Sequence, residues 1–243
     1  MTADPAFFED SYHRLLEPFH PEEEARHEVA ALREILGLAQ ADRVLDVGCG
    51  WGRHLRLLHE AGHHVVGVDL SYPLLRRARD NGGAGSLLVV ADMRRLPARE
   101  RSFDAVINLA TSLGLFLEDA DAATALTEMG RVLRPGGRLL VEGMNGDDAI
   151  AGFAERDGWT LDDGTEVRVR RRLDRGGRIS HEVLRWEGPG GAGEKRHSLR
   201  LRGPAELEAL VAAAGLTLYG LHGGWSMEPV GPESERLILT AGR

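Results

Sequence analysis

Three aspartates carry the chemistry most visible in the sequence: Asp46 in VLDVGCGWG, Asp69 in VVGVDLS and Asp92 in VVADM. Each follows or closes a short apolar run of the kind that forms a buried strand. Between the first two stand Gly48, Gly50 and Gly52, glycines that let backbone approach a ligand closely and lead into a helix whose first N–H groups are free. A dinucleotide fingerprint needs its third glycine at position 53, where the chain has Arg53. A carboxylate at Asp46 repels a pyrophosphate and suits an ammonium group. Asp69, about 20 residues past the loop, is placed to accept both hydroxyls of a ribose. Asp92 is placed to accept a hydrogen bond from an exocyclic amine. Together the three acids describe a ligand that is cationic and nucleoside-bearing and has no phosphate.

Such acids must sit side by side at strand ends, and the surrounding pattern supplies the strands. Apolar runs at 43–47, 64–69, 86–90, 103–108 and 137–142 alternate with helical stretches at 52–61, 72–80 and 121–133. With two last strands at 216–222 and 235–241, the expected fold is α/β: a doubly wound, mostly parallel, seven-stranded, Rossmann-like sheet with right-handed crossovers. Residues 5–37 read as two helices split at Pro18 and Pro21, forming an N-terminal helical cover within residues 1–40. In 160–202, EVRVRRRL, RISHEVLRW and KRHSLRLR alternate polar and apolar residues around glycine turns, which predicts an inserted antiparallel sheet of three strands. The helix 204–214 follows, and residues 1–243 are expected to form one domain.

Composition narrows the class. The chain has 243 residues, 42% hydrophobic and 28% charged, enough for a full core and without the ~20-residue apolar run of a membrane helix. The first residues lack the basic start, apolar stretch and cleavage site of a signal peptide. Cys49 is the one cysteine, which excludes an internal disulfide and a cysteine-rich zinc site. His181, His197 and His222 lack ligand spacing, so no metal is expected. These features fit the cytoplasm. The net charge of −8 argues against a polyanionic partner. Residues 165–202 hold 11 basic and 5 acidic side chains, but Arg168, Arg170 and Arg172 alternate with apolar residues as on a solvated sheet face. Only Trp186 offers an aromatic there, so nucleic acid is not the expected partner.

VLDVGCGWG, VVGVDLS, ADMRRLP, FDAVINLATSLGLF and RVLRPGGRLLVE stand in an order and spacing that resembles the class I S-adenosylmethionine-dependent methyltransferases. The likeness is nearest to the bacterial small-molecule branch, with its helical cover and antiparallel insertion. The resemblance implies S-adenosyl-L-methionine as cofactor and these roles: Asp46 toward the methionine amine; Gly48, Cys49 and Gly50 along the methionine part; Asp69 with Leu70 at the ribose; Asp92 with the Met93 backbone at adenine; Asn108 near the sulfonium; Tyr12 closing over the cofactor. It departs at Ser112-Leu113-Gly114-Leu115-Phe116, where relatives often carry aromatics at the two leucine positions, so the pocket is expected to be more aliphatic. The implied reaction is methyl transfer to an N, O or C nucleophile of a small molecule. RNA or protein methylation through the basic insertion, and cofactor binding without catalysis, are the alternatives. No general base stands out. Cys49 reads as packing, Arg53 and His54 as first-turn residues with a lesser chance of touching substrate, and Glu142, Asn145, Asp147 and Asp148 as strand-end residues of an acceptor site or simply solvated.

Overall fold

The computed structural model describes residues 10–82 and 85–243, with backbone alone for residues 10–12. Helix α1 (Asp10–Leu16) runs into a 3-10 turn at Glu17–Phe19. Pro21, with extended backbone, caps α2 (Glu22–Leu36), which stops where Gly37 turns left-handed at φ 60°, a conformation that costs glycine little. The apolar stripe of α2 comprises Ala25, Val29, Leu32 and Leu36, all buried.

The chain then alternates strand and helix: β1 (Arg43–Val47), α3 (Arg53–Glu60), β2 (His64–Asp69), α4 (Tyr72–Asp80), β3 (Leu87–Val90), β4 (Phe103–Asn108), α5 (Asp119–Val132) and β5 (Leu133–Met144). The closing elements are α7 (Pro204–Ala213), β10 (Thr217–His222) and β11 (Arg236–Gly242). The seven-stranded sheet has the order β10-β11-β5-β4-β1-β2-β3. Pairing is parallel from β3 through β5, and β11 runs antiparallel between β5 and β10. This is the doubly wound sheet expected from the alternating runs. The winding reverses direction between β1 and β4, the place where such sheets open a crevice at their carboxyl ends. One core layer packs Leu126 and Met129 of α5 against the sheet, and the other packs Leu32 of α2 with Leu55 and Leu58 of α3 on the opposite face.

Between β5 and α7 the chain makes its excursion: α6 (Gly146–Ala151), then β6 (Arg156–Thr160), β7 (Glu166–Leu173), β8 (Ile179–Gly188) and β9 (Gly191–Arg200) in one antiparallel sheet. That sheet has four strands rather than three. The extra one, Arg156-Asp157-Gly158-Trp159-Thr160, is mostly exposed, so it has no apolar alternation to read. It is held by register with β7, Trp159 facing Val167. The excursion leaves and rejoins the sheet at one point. Gly146 N–H donates to Arg202 O at 2.9 Å, and a Cβ on Gly146 would strike the backbone of Leu201 and Arg202. The N-terminal helices pack against this sheet: Leu15 clusters with Leu161 and Val167, and the Trp159 indole N–H donates to Leu15 O at 3.0 Å.

Candidate functional site

A cavity of about 510 Å³ opens at the carboxyl ends of β1, β2 and β4, with His20 from the N-terminal segment and Trp51 from the loop after β1 also in its lining. Its floor is the loop after β1. Gly48 adopts φ 77° and its N–H donates to Val68 O at 2.7 Å, bending the chain over the end of β2. A Cβ there would lie 3.0 Å from Ser112 Oγ, a tight approach added to the backbone conformation that disfavours a side chain. Gly50, at φ 53°, has no atom within 4 Å of where its Cβ would be; its Cα faces open space in the cavity wall.

The three aspartates occupy this wall together. Asp69 holds the loop in place: its Oδ2 accepts from Gly50 N–H at 2.8 Å and its Oδ1 from Ser71 N–H at 2.8 Å. Burial raises its pKa, opposed by the N–H groups of Ser71, Gly50 and Leu70. Asp46 is 2% exposed, and its Oδ2 has no hydrogen-bond partner among the described residues. Burial, followed by the charge of Asp69, pushes its pKa up to about 7, with Arg53 opposing. A buried carboxyl oxygen left without a donor is costly, and one in a cavity wall is matched by a ligand that brings its own N–H. Asp92 is gripped by Arg94 and lies beside Met93 in the wall; Leu70 also contributes there.

Two sequence-derived positions stand differently. Asn108 is fully buried below the loop, its amide donating to Val47 O at 2.7 Å, and it is not part of the cavity wall. Tyr12 falls in α1, and its side chain lies outside the described residues. Cys49 packs against Gly67, where an added Cβ would come within 2.8 Å of its sulfur. Burial and the charges of Asp46 and Asp69 raise its thiol pKa well above the usual value, so it is a poor nucleophile.

The far end of the cavity is built on an ionic hub. Glu28 of α2 is 1% exposed. Its Oε2 accepts from Arg53 Nη2 at 2.6 Å and pairs with His54 Nε2 at 2.8 Å. Its Oε1 faces Arg236 Nη1 at 3.5 Å. Arg236 also reaches Glu24 at 2.9 Å and Glu142 at 3.1 Å, and Glu142 accepts from Ala110 N–H at 2.7 Å. Burial works to raise the Glu28 pKa, but the hydrogen bond and charge of His54, with Arg53 and Arg236, hold it below the usual value. Burial dominates at Glu142 and raises it despite Arg236. His20, beside Trp51 with ring centroids 5.8 Å apart, is lowered to about 4 by burial and then by Arg53, so it is neutral at physiological pH. Periodicity does not reveal this hub, because its members come from α2, α3, β5 and the start of β11. One signal existed: Glu28 interrupts the apolar stripe of α2, and a charge on a buried stripe needs partners.

A glycine loop at the switch of a doubly wound sheet, with carboxylates where a phosphate would be repelled, defines an α/β protein that binds a cationic nucleoside. The Methyltransferase domain family matches residues 44–137. The chain is 30% identical over 190 residues (76% of this chain, 79% of that protein) to the dTDP-3-amino-3,4,6-trideoxy-alpha-D-glucopyranose N,N-dimethyltransferase of Streptomyces venezuelae. Shorter matches are to the malonyl-[acyl-carrier protein] O-methyltransferase of Salmonella typhimurium, 42% over 113 residues (46% of this chain, 43% of that protein), and to the probable tRNA methyltransferase 9B of Mus musculus, 36% over 98 residues (40% and 21%). The chain thus spans less than half the length of these two relatives. Among solved structures, SAM-bound CalS10, an amino pentose methyltransferase from Micromonospora echinaspora, superposes with a TM-score of 0.68 at 27% identity, covering 91% of each chain. The chain belongs to the S-adenosylmethionine-dependent methyltransferase family, and S-adenosylmethionine is its cofactor.

Among the described residues no helix is long and apolar enough to cross a membrane, and no group of three or more His, Cys, Asp or Glu side chains is arranged to hold a metal.

Proposed function

We propose that this protein, acting as one unit over residues 1–243 in the cytoplasm, methylates an N, O or C nucleophile of a small molecule held at the far end of the cavity. The observation that carries the reading is the gathering of Asp46, Asp69 and Asp92 in one cavity wall, one of them with an orphaned oxygen. Asp46 takes the amine of the methionine part, which lies along Gly48, Cys49 and Gly50. Asp69, flanked by Leu70, takes the ribose hydroxyls on the lone pairs its backbone donors leave free. Asp92 and the Met93 backbone read adenine. Asn108 acts from beneath, fixing the loop through Val47. When bound, the cofactor supplies a methyl group on a sulfonium, whose departure as a thioether needs no proton. The protein's work is therefore alignment and exclusion of water, worth roughly 7–11 kcal/mol in favourable cases. Leu115 and Phe116 give an apolar flank, and His20, from the described part of the N-terminal cover, lines the cavity as well. The acceptor lies between His20, Trp51, Glu142 and Arg236. The amino-sugar relative, by its name, and the acidic bias of the wall favour an amine.

Incubation with methyl-labelled S-adenosylmethionine and a metabolite extract should yield a labelled small molecule by mass spectrometry. Tight S-adenosylhomocysteine binding with no labelled product would instead favour a binding protein without catalysis. For the cofactor site, Asp69→Ala should weaken S-adenosylhomocysteine binding by ~1–3 kcal/mol in calorimetric titration; unchanged affinity would remove Asp69 from the ribose.

An RNA acceptor is the second reading, favoured by the tRNA methyltransferase relative and the arginines of the inserted sheet. Many of those arginines are already answered within the protein, as in Arg168–Glu166, Arg171–Glu182, Arg178–Asp147 and Arg185–Glu194. That pairing is why we place RNA second. A tRNA affinity that falls steeply with added salt would reverse the order.

A further inference from the structure

Asp92 is not a free carboxylate. Arg94 Nε lies 3.1 Å from both of its oxygens, Arg94 Nη2 lies 2.6 Å from Oδ2, and Arg94 N–H donates to Oδ1 at 2.9 Å. The guanidinium is itself fixed on two further sides. Its Nη1 donates to Asp121 Oδ1 at 3.0 Å, near the start of α5, and its carbon stands 5.5 Å over the ring of Phe116. Phe116 and Asp92 both line the cavity, and Arg94 is not among its lining residues.

We propose that Arg94 is a positioning residue that fixes the base specificity of the nucleoside pocket by keeping Asp92 an obligate hydrogen-bond acceptor. The inference rests on the placement of adenine at Asp92 given above. An ionised carboxylate accepts from the 6-amino group of adenine and has nothing to donate to the 6-oxo group of hypoxanthine. A protonated carboxyl could donate to that oxygen and would tolerate either base. The fork of Arg94 answers both carboxylate oxygens at once, so a proton there would displace a charge-assisted hydrogen bond. The charged groups facing Asp92 are Arg94 and, through it, Asp121; Arg94 is also the main cause of the lowered pKa of Asp92. Phe116 covers the guanidinium and links this clamp to the turn at Ser112–Leu115 that walls the cavity.

The test compares S-adenosylhomocysteine with S-inosylhomocysteine by calorimetry on the intact protein between about pH 4 and 8, a range that reaches the ordinary carboxylate pKa. Wild type should prefer the adenine ligand across that range. Arg94→Met, which keeps the stem and removes the fork, should lose about tenfold in adenine affinity, and its preference for adenine should shrink as pH falls toward the ordinary carboxylate range. Arg94→Lys keeps a cation without the fork and should fall between the two. A merely structural role would weaken both ligands equally and leave the preference flat with pH; that result overturns the proposal. If Arg94→Met does not fold, the loss of preference is read in Arg94→Lys alone, and a wild-type preference flat with pH in that variant also overturns it. Asp92→Ala separates the two levels: it removes the acceptor altogether, and unchanged adenine affinity in that variant would instead refute the adenine placement itself.

Discussion

Asp46→Asn should make the ligand-free protein more stable while weakening its hold on the cofactor. The buried carboxyl has its pKa raised to about 7, so the folded state binds its proton more tightly than the unfolded chain does. By linkage, stability from this group is full below the ordinary carboxylate pKa, is lost as pH rises to about 7, and stays lost above it. At pH 8 the charged form costs the fold on the order of 2–4 kcal/mol, much of which the neutral amide should return. Chemical denaturation at pH 8 and at pH 5 measures this: the variant should gain at the higher pH and little at the lower. The same change should cost about ten- to a hundredfold in S-adenosylhomocysteine affinity, the worth of a hydrogen bond between charged groups. Wild-type affinity should also decline as pH drops below about 7, while that of Asp46→Asn stays flat. A variant that binds as well as wild type, with the same pH profile, would show that the amine is held elsewhere. The opposite movement of stability and binding is what separates a functional carboxylate from a structural one.

Glu28→Ala should be the most damaging single substitution for stability. Its side chain is shared by Arg53, His54 and Arg236, and removing one partner from a buried ionic cluster leaves the others uncompensated, at a cost of about 3–5 kcal/mol. α2 would lose the polar anchor that ties it to α3 and β11, and the acceptor end of the cavity would lose its wall. Urea unfolding gives the magnitude; a loss below about 1 kcal/mol would mean that the cluster behaves as a solvated surface pair. Glu28→Gln keeps the shape without the charge and should fall between. Because the Glu28 pKa is held below its usual value, its contribution is present above the unfolded pKa and is lost as pH falls through the lower, folded one. The acid limb of the melting curve should therefore flatten in Glu28→Gln.

The parts of the molecule that are legible in its sequence share a physical trait: they depend on neighbours in sequence. β1, β2 and β4 are continuous apolar runs because both faces are covered, and the structure starts and stops them at residues 43–47, 64–69 and 103–108. Asp46, Asp69 and Asp92 reach one cavity because parallel pairing places those strand ends together. β6 escaped because an exposed strand shows no alternation. The Glu28 hub escaped because ion pairs between residues far apart in sequence leave no period, and the Arg94 clamp because a pair two residues apart in a loop, closed by the distant Asp121, has no periodic signature. Asn108 ends β4 as expected, its amide N–H donating to Val47 O below the loop and its Oδ1 without a hydrogen-bond partner among the described residues, an arrangement that no pattern of neighbours in sequence encodes. The aliphatic character expected at residues 112–116 is present as Leu115 in the wall, but Phe116 remains as an aromatic there.

The clasp between Gly146 and Arg202 has a consequence for how this scaffold can diversify. Because the excursion begins and ends against the same few backbone atoms, the parallel sheet is indifferent to how much chain lies between them; lengthening a loop whose ends already meet adds only slowly to its closure entropy. The four-stranded sheet is thus a cassette plugged into a socket. Exchanging it for one of another shape, with Gly146 and Arg202 retained, would change the surface that Trp159 and Val167 offer to the N-terminal helices while leaving the nucleoside half untouched.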